Sequence, residues 1–114
     1  MTGCLFCKIV AGEIPAQRVY EDDVVIAIRD INPQAPVHVL ILPRRHLASV
    51  SEIEGADPEL MHRIGVAAAT LAAQEGIAER GYRLLTNTGP DGGQAVAHLH
   101  FHLLGGRAMG WPPG

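Results

Sequence analysis

The stretch AHLHFHLLGG (Ala97–Gly106) alternates imidazole with hydrocarbon: His98, His100 and His102 interleave with Leu99, Phe101 and Leu103. A period of two predicts a β-strand, because successive side chains on a strand point to opposite faces. The three rings then share one face, about 6.6–6.8 Å from one to the next. The three apolar side chains share the other, where a helix can cover them. Leu99, Phe101 and Leu103 make the strand; a purely structural sheet would carry Thr, Lys or Glu on its polar side. Three of the chain's six histidines stand here, so this face calls for a chemical reason.

Outward from this strand, YRLLTNT (Tyr82–Thr88) reads as the strand before it, joined to it through the glycine-rich turn GPDGG. VHVLILP (Val37–Pro43) is nearly continuous apolar and β-branched sequence ended by proline, the pattern of a central strand. Arg18–Glu21 and Val24–Asp30 flank the turn-prone Asp22-Asp23 and predict a hairpin. INPQAP reads as a loop, since two prolines in four residues break any element. One long helix is expected over ADPELMHRIGVAAATLAAQEG, with Asp57 as N-cap and Pro58 at the first helical position. Its apolar stripe is Leu60, Ile64, Ala67, Ala68 and Leu71, and Gly76 is its stop. The tail GGRAMGWPPG has no period, and its lone Trp111 is expected to pack on a partner subunit. The class is α+β, an antiparallel sheet covered by one helix, and 114 residues predict a single domain, 1–114.

Composition removes several function classes. The formal net charge is −3 and no Lys/Arg run marks a nucleic-acid footprint. No apolar stretch approaches the ~20 residues that span a bilayer, so no membrane partner is expected. The N-terminus lacks a basic segment followed by an apolar run, which makes the cytoplasm the expected compartment. With two Phe, two Tyr and one Trp, the core must be aliphatic. Cys4 and Cys7 form a single Cys-x-x-Cys, which is no disulfide scaffold: it is a redox pair, half a metal site, or two idle thiols. A thioredoxin-like pair should follow a strand, and none precedes Cys4.

For the histidine face three readings stand side by side: a polar surface, a three-histidine metal site, and phosphate chemistry. A neutral imidazole can attack phosphorus when a hydrogen bond to its other nitrogen fixes the tautomer. The loop just upstream, NTGPDGGQAVAH, favours this last reading. Gly92 and Gly93 can present backbone N–H groups to an anion, Gln94 adds a neutral donor, and Asn87 ends the preceding strand. The loop lacks the Gly-Lys-Ser/Thr ending of a Walker motif.

HLHFHLL resembles the His-φ-His-φ-His-φ-φ motif (φ apolar) of the histidine triad (HIT) superfamily. DGGQAVAHLHFHLLGGR with the tail GWPPG is similar to its Hint branch, the nucleoside phosphoramidases. IPAQRVYEDD, DINPQAP and LPRRH also match, in the right order, so the resemblance covers nearly the whole chain. It implies about five antiparallel strands, one long helix and a short N-terminal helix. It implies that His100 attacks the α-phosphorus of a purine nucleoside 5′-phosphoramidate or related acyl-nucleotide. A covalent nucleotidyl-histidine then forms, and water releases a nucleoside monophosphate such as AMP. His102 would hydrogen-bond the phosphate oxygens. Asp30 would accept from the ribose hydroxyls beside Ile31, and Phe6 and Ile9 would lie near the base. Asn87, Gly93, Gln94 and the backbone of Ala95 would line the sugar and phosphate. Members are homodimers, which would bring Trp111 toward the neighbour's pocket. Close relatives commonly carry serine where this chain has Ala95, which implies a slower or differently selective enzyme.

The resemblance also resolves Cys-x-x-Cys. Bacterial-type members begin CxFC and complete a Cys₂His₂ zinc site with the histidine after LPRR and the first triad histidine, here Cys4, Cys7, His46 and His98. That zinc would be structural, clamping the N-terminal segment and leaving His100 metal-free. His38 is expected to be a hydrogen-bonded structural residue and His62 partly exposed. Another superfamily branch, the dinucleoside polyphosphate hydrolases, is the alternative enzyme. A nucleotide-sensing scaffold with incidental catalysis is the alternative outside enzymes.

Overall fold

Val37–Pro43 forms strand β3, and every one of its residues is buried. This is what a continuous apolar run dictates, because only a strand covered on both faces can place all its side chains out of water. The computed structural model describes residues 3–114 and sets β3 at the centre of a five-stranded, wholly antiparallel sheet. The hairpin is β1 (Arg18–Glu21) and β2 (Val25–Arg29), and β2 pairs with β3 in the register Ala27↔Ile41. On the other side of β3 lies β5 (Phe101–Gly105), then β4 (Tyr82–Leu85) as the edge, giving the order β1-β2-β3-β5-β4. Asp22 makes the hairpin turn, its carboxylate accepting from the N–H groups of Val24 and Val25 at 2.8 Å.

Strand alternation sorts the core into two layers. Val25, Ala27, Val39, Ile41, Leu99, Phe101 and Leu103 face the long helix α2 (Leu60–Gln74), whose buried stripe is Leu60, Ile64, Ala67, Ala68, Leu71 and Ala72. Ile26, Ile28, Leu40 and Leu42 face the other way, onto Phe6 and Ile9 of the short N-terminal helix α1 (Leu5–Val10). The expected class and element count are borne out. A 3₁₀ helix over Val50–Gly55 was not anticipated.

Several boundaries differ from the sequence reading: β2 is one residue shorter at each end than Val24–Asp30, and three larger shifts have a visible cause. Helix α2 begins at Leu60, because Asp57 and Pro58 form a tighter turn ahead of it: Glu59 N–H donates to the Asp57 carboxylate at 2.8 Å and Leu60 N–H to the Asp57 carbonyl at 2.9 Å. Strand β4 stops at Leu85 rather than Thr88, and β5 starts at Phe101 rather than His98. The cause of the last two is one feature, the way the chain is held where the sheet ends. At its C-terminus α2 stops as expected. Gly76, at φ 74°, donates to Ala73 and Ile77 donates to Ala72, the paired bonds that close a helix through a left-handed residue.

Candidate active site

Ahead of β5 the ladder is replaced by other bonds. Leu99 N–H donates to the Leu47 carbonyl at 2.6 Å, and the Thr86 hydroxyl donates to the His100 carbonyl at 2.7 Å. These groups take the polar atoms that β3 and β4 would have used, so His98 and His100 are not ladder residues although the alternation of faces runs through them. Leu99 lies in the α2-side core with Phe101 and Leu103, while Phe6 of α1 meets the rings of His98 and His100 edge-on at 5.8 and 5.0 Å between centroids.

Hydrogen bonds, three of them to the backbone, fix the tautomer of each ring. His100 Nδ1–H donates to the carbonyl of His98 at 2.7 Å, so its Nε2 carries a lone pair. His98 Nε2–H donates to the Pro43 carbonyl at 2.9 Å, which leaves its Nδ1 as the lone-pair nitrogen. The amide of Gln34 donates to His38 Nδ1 at 3.0 Å, so the proton of neutral His38 sits on Nε2 and donates to His102 Nδ1 at 2.9 Å. His102 therefore presents Nε2–H. Burial, then the neighbouring His100 and His38, push His102 down to about 4, so it is neutral across the physiological range. Burial also lowers His38 and His98, with Asp30 opposing the shift at His38.

His100 and His102 line a cavity of about 300 Å³ together with Phe6 and Ile9 of α1, Asp30 and Ile31 after β2, and Ala95 and Val96. Most of the lining is hydrocarbon, and Asp30 is its acid. One carboxylate oxygen of Asp30 accepts from Asn32 N–H at 2.8 Å and the other lies 3.4 Å from His38 Nε2. The structure thus gathers seven of the residues singled out from sequence around one space: Phe6, Ile9, Asp30, Ile31, Ala95, His100 and His102.

Four others lie apart from it. Asn87, Gly93, Gln94 and Trp111 are not among the lining residues. The Gln94 amide ties its loop to the segment after β3, donating to the carbonyls of Ala48 and Val96 and accepting from Gly89 N–H. Gly93 N–H is taken by the Pro90 carbonyl at 3.1 Å. At Gly92 a Cβ would collide with the Thr88 carbonyl, so this glycine is required by the turn itself. In this conformation Gly93 N–H and the Gln94 side-chain amide are engaged by protein carbonyls. Trp111 is 83% exposed, on a tail pinned to β4 by Arg83, which donates to the Gly110 carbonyl at 2.8 Å.

Sequence reasoning missed His38. Its hydrogen-bonded, buried character is as expected, but its partner is His102. The signal lay in β3: His38, Leu40 and Leu42 share the face that carries the histidines. Only the register His38↔Leu104, Leu40↔His102 brings that face to the site. His62 is exposed.

A second cluster sits behind the first. The sulfurs of Cys4 and Cys7 and the Nδ1 atoms of His46 and His98 all lie within 4.8 Å of one another. Cys4 Sγ is 3.4 Å from His98 Nδ1, and Cys7 Sγ is 3.3 Å from His46 Nδ1 and 3.5 Å from His98 Nδ1. A zinc tetrahedron with S and N bonds of about 2.3 and 2.0–2.1 Å has S···N edges of about 3.6 Å, so the four donors fit that ion. The backbone supplies the outer bonds such a site needs. Pro43 orients His98, and Cys7 N–H donates to Cys4 Sγ at 3.3 Å. Burial and the adjacent Cys4 push the Cys7 thiol up, so a cation is what would hold the Cys7 sulfur as a thiolate. The donors have the geometry of a metal centre; a redox pair has no use for two histidines.

Comparison with known proteins gives a consistent picture. The HIT domain family model matches residues 11–109. Purine nucleoside phosphoramidase of Escherichia coli is 50% identical over 106 residues, 93% of this chain and 89% of that one. A HIT family hydrolase from Legionella pneumophila superposes with a TM-score of 0.94 at 54% identity, covering 98% of this chain and all of that one. A zinc-bound histidine triad family protein from Mycobacterium smegmatis superposes with a TM-score of 0.80 at 30% identity, over 93% of this chain and 76% of that one. Among the described residues no helix is long and apolar enough to cross a membrane.

Proposed function

The chain belongs to the HIT domain family, and on that premise we propose that it hydrolyses purine nucleoside 5′-phosphoramidates and related acyl-nucleotides through a nucleotidyl-histidine intermediate. The observation that carries this reading is His100. Its Nδ1–H is held by a carbonyl in its own segment and its Nε2 lone pair is free, in a cavity that also contains a neutral hydrogen-bond donor and a carboxylate. A similar chain of known activity, the Escherichia coli phosphoramidase, supports the choice of phosphorus–nitrogen bond.

In the first step the Nε2 lone pair of His100 forms a bond to the α-phosphorus. The phosphorus–nitrogen bond breaks, and the nitrogen departs with its electron pair and takes up a proton from solvent water. His102 Nε2–H hydrogen-bonds a phosphoryl oxygen as the geometry at phosphorus inverts. Water then displaces His100 and releases the nucleoside monophosphate. Asp30 accepts from the ribose hydroxyls beside Ile31, and Phe6 and Ile9 pack on the base. Ala95 gives a backbone N–H and a methyl where a serine would give a hydroxyl. Asn87, Gly93 and Gln94 support the phosphate side through the loop they stiffen. The 114 residues act as one HIT domain in the cytoplasm. Zinc at Cys4, Cys7, His46 and His98 would supply a structural cross-link, a role that a zinc-bound relative supports. The working unit is a homodimer in which Trp111 of each copy approaches the other's cavity.

The test is to quench turnover of an adenosine phosphoramidate in acid-free denaturant and weigh the protein. The expected result is an added nucleotidyl mass on the peptide containing His100, and in His100→Asn no adduct and a rate lower by at least about a thousandfold. Full activity in His100→Asn removes the assignment.

A further inference from the structure

The nucleophile proposed above stands on a segment that the sheet does not hold. Pairing with β3 ends at Ile41↔Phe101 and with β4 at Leu85↔His102. The ring of His100 is oriented by the carbonyl of His98, at 2.7 Å. That carbonyl belongs to a residue whose own ring is wholly buried and tied at both nitrogens. Nε2 is bound to Pro43, and Nδ1 is enclosed by Cys4, Cys7 and His46. The two cysteines bracket Phe6, whose ring edge meets both His98 and His100.

We infer that the Cys4–Cys7 turn and His46, when metal-loaded, form a positioning device for His100: they fix His98, and the His98 carbonyl fixes the tautomer and direction of the attacking ring. The inference rests on His100 being the attacking group, and it extends the metal site from a clamp on the N-terminus to a part of the reaction's geometry. The physical argument is one of linked constraints. A carbonyl can hold Nδ1–H in line only if its peptide plane is fixed, and the His98–Leu99 plane is held by a single backbone bond, from Leu99 N–H to the carbonyl of Leu47. Leu47 directly follows His46, so ligation of His46 and His98 would anchor both ends of that bond. Without the ion the Nδ1 of His98 faces two thiols, which are weak partners, and helix α1 loses its covalent-strength anchor to the 98–100 segment. Phe6 and Ile9 belong to that helix and line the cavity, so loss of the anchor loosens the base-side wall together with the nucleophile. Cys4, Cys7 and His46 touch no substrate; they act through His98 and Phe6.

The test compares the full chain loaded with one equivalent of zinc with the same chain after dialysis against a chelator, using histidine labelled with ¹⁵N. With zinc, the Nδ1–H of His100 is expected as a protected resonance. Without it, exchange with water should speed up at least tenfold and kcat for an adenosine phosphoramidate should fall about tenfold, while circular dichroism and the slow amides of Val39 and Ile41 persist. A folded zinc-free chain with unchanged Nδ1–H exchange and unchanged kcat overturns the inference. If the depleted chain unfolds, cadmium in place of zinc decides: its longer bonds must shift the His100 Nδ1–H resonance, and a coincident resonance overturns the inference. A chain whose Nδ1–H follows the metal but that turns over no phosphoramidate retains the positioning link and removes the proposed function. Turnover with no metal-dependence of that proton removes the link alone.

Discussion

At the scale of single residues, the site is a set of imidazoles each given one tautomer by a hydrogen bond, from the backbone at His38, His98 and His100 and from the His38 ring at His102. His102 is the clearest case. His38 Nε2–H donates to its Nδ1, His100 lies beside it with ring centroids 5.1 Å apart, and Asp30 lies beyond His38 as the one opposing charge. Burial lowers His102 from 6.5 to about 4. Between those pH values the unfolded chain binds a proton that the folded chain refuses, so stability is complete above about pH 6.5 and declines as pH falls toward 4. The decline amounts to about 3 kcal/mol for this ring. The urea midpoint is expected to drop between pH 7 and pH 4.5 and to drop less in His102→Gln; equal slopes in the two proteins would contradict the assignment. His100 and His102 could be read from the alternation of their own segment. His38 could not, because its role depends on a partner 64 residues away.

At the scale of elements, boundaries are decided by bonds that local patterns do not contain. The apolar stripe of α2 was legible except for Ala72, since a helix buries one face and the sequence must mark it. Its end was legible too, because few residues other than glycine accept a positive φ. Gly76 has open space where a Cβ would go, so the cost of Gly76→Ala is backbone strain alone. That substitution is expected to lower stability by about 1–2 kcal/mol with turnover unchanged, as read from urea unfolding and steady-state rates. The ends of β4 and β5 were not legible. Thr86 and Leu99 have strand-like sequence around them, yet their polar groups bond to His100 and Leu47. In the glycine loop, donors that suit an anion also suit protein carbonyls: Gly93 N–H meets Pro90, and the Gln94 amide meets Ala48 and Val96.

At the scale of the whole molecule, the proposed homodimer can be tested on the apolar surface left in water. Edge strand β4 exposes Tyr82 and Leu84, α2 exposes Met61 and Val66, and Trp111 stands out from a tail that Arg83 ties to the same edge. A second copy over this edge is the occupant the proposed homodimer supplies. Sedimentation should find two chains per particle, and Leu84→Lys should give one. Trp111 is the chain's sole tryptophan, so its emission should move to longer wavelength in that variant. A wild-type chain that sediments as a monomer would refute the assembly.

The sequence by itself determined the class of fold, the helix and its stop, the central strand, and the identity of the histidine and cysteine groups. Each of these is recorded by a local periodicity or by residue types that chemistry cannot replace. Only the tertiary structure decided which of those groups meet. It brought Cys4 and Cys7 to His46 and His98, and His38 to His102, and it set Gln94 and Gly93 against protein carbonyls. The reason is that a hydrogen bond or a ligand set is a property of distance in space, and the antiparallel order β1-β2-β3-β5-β4, with α1 on the histidine face, sets those distances.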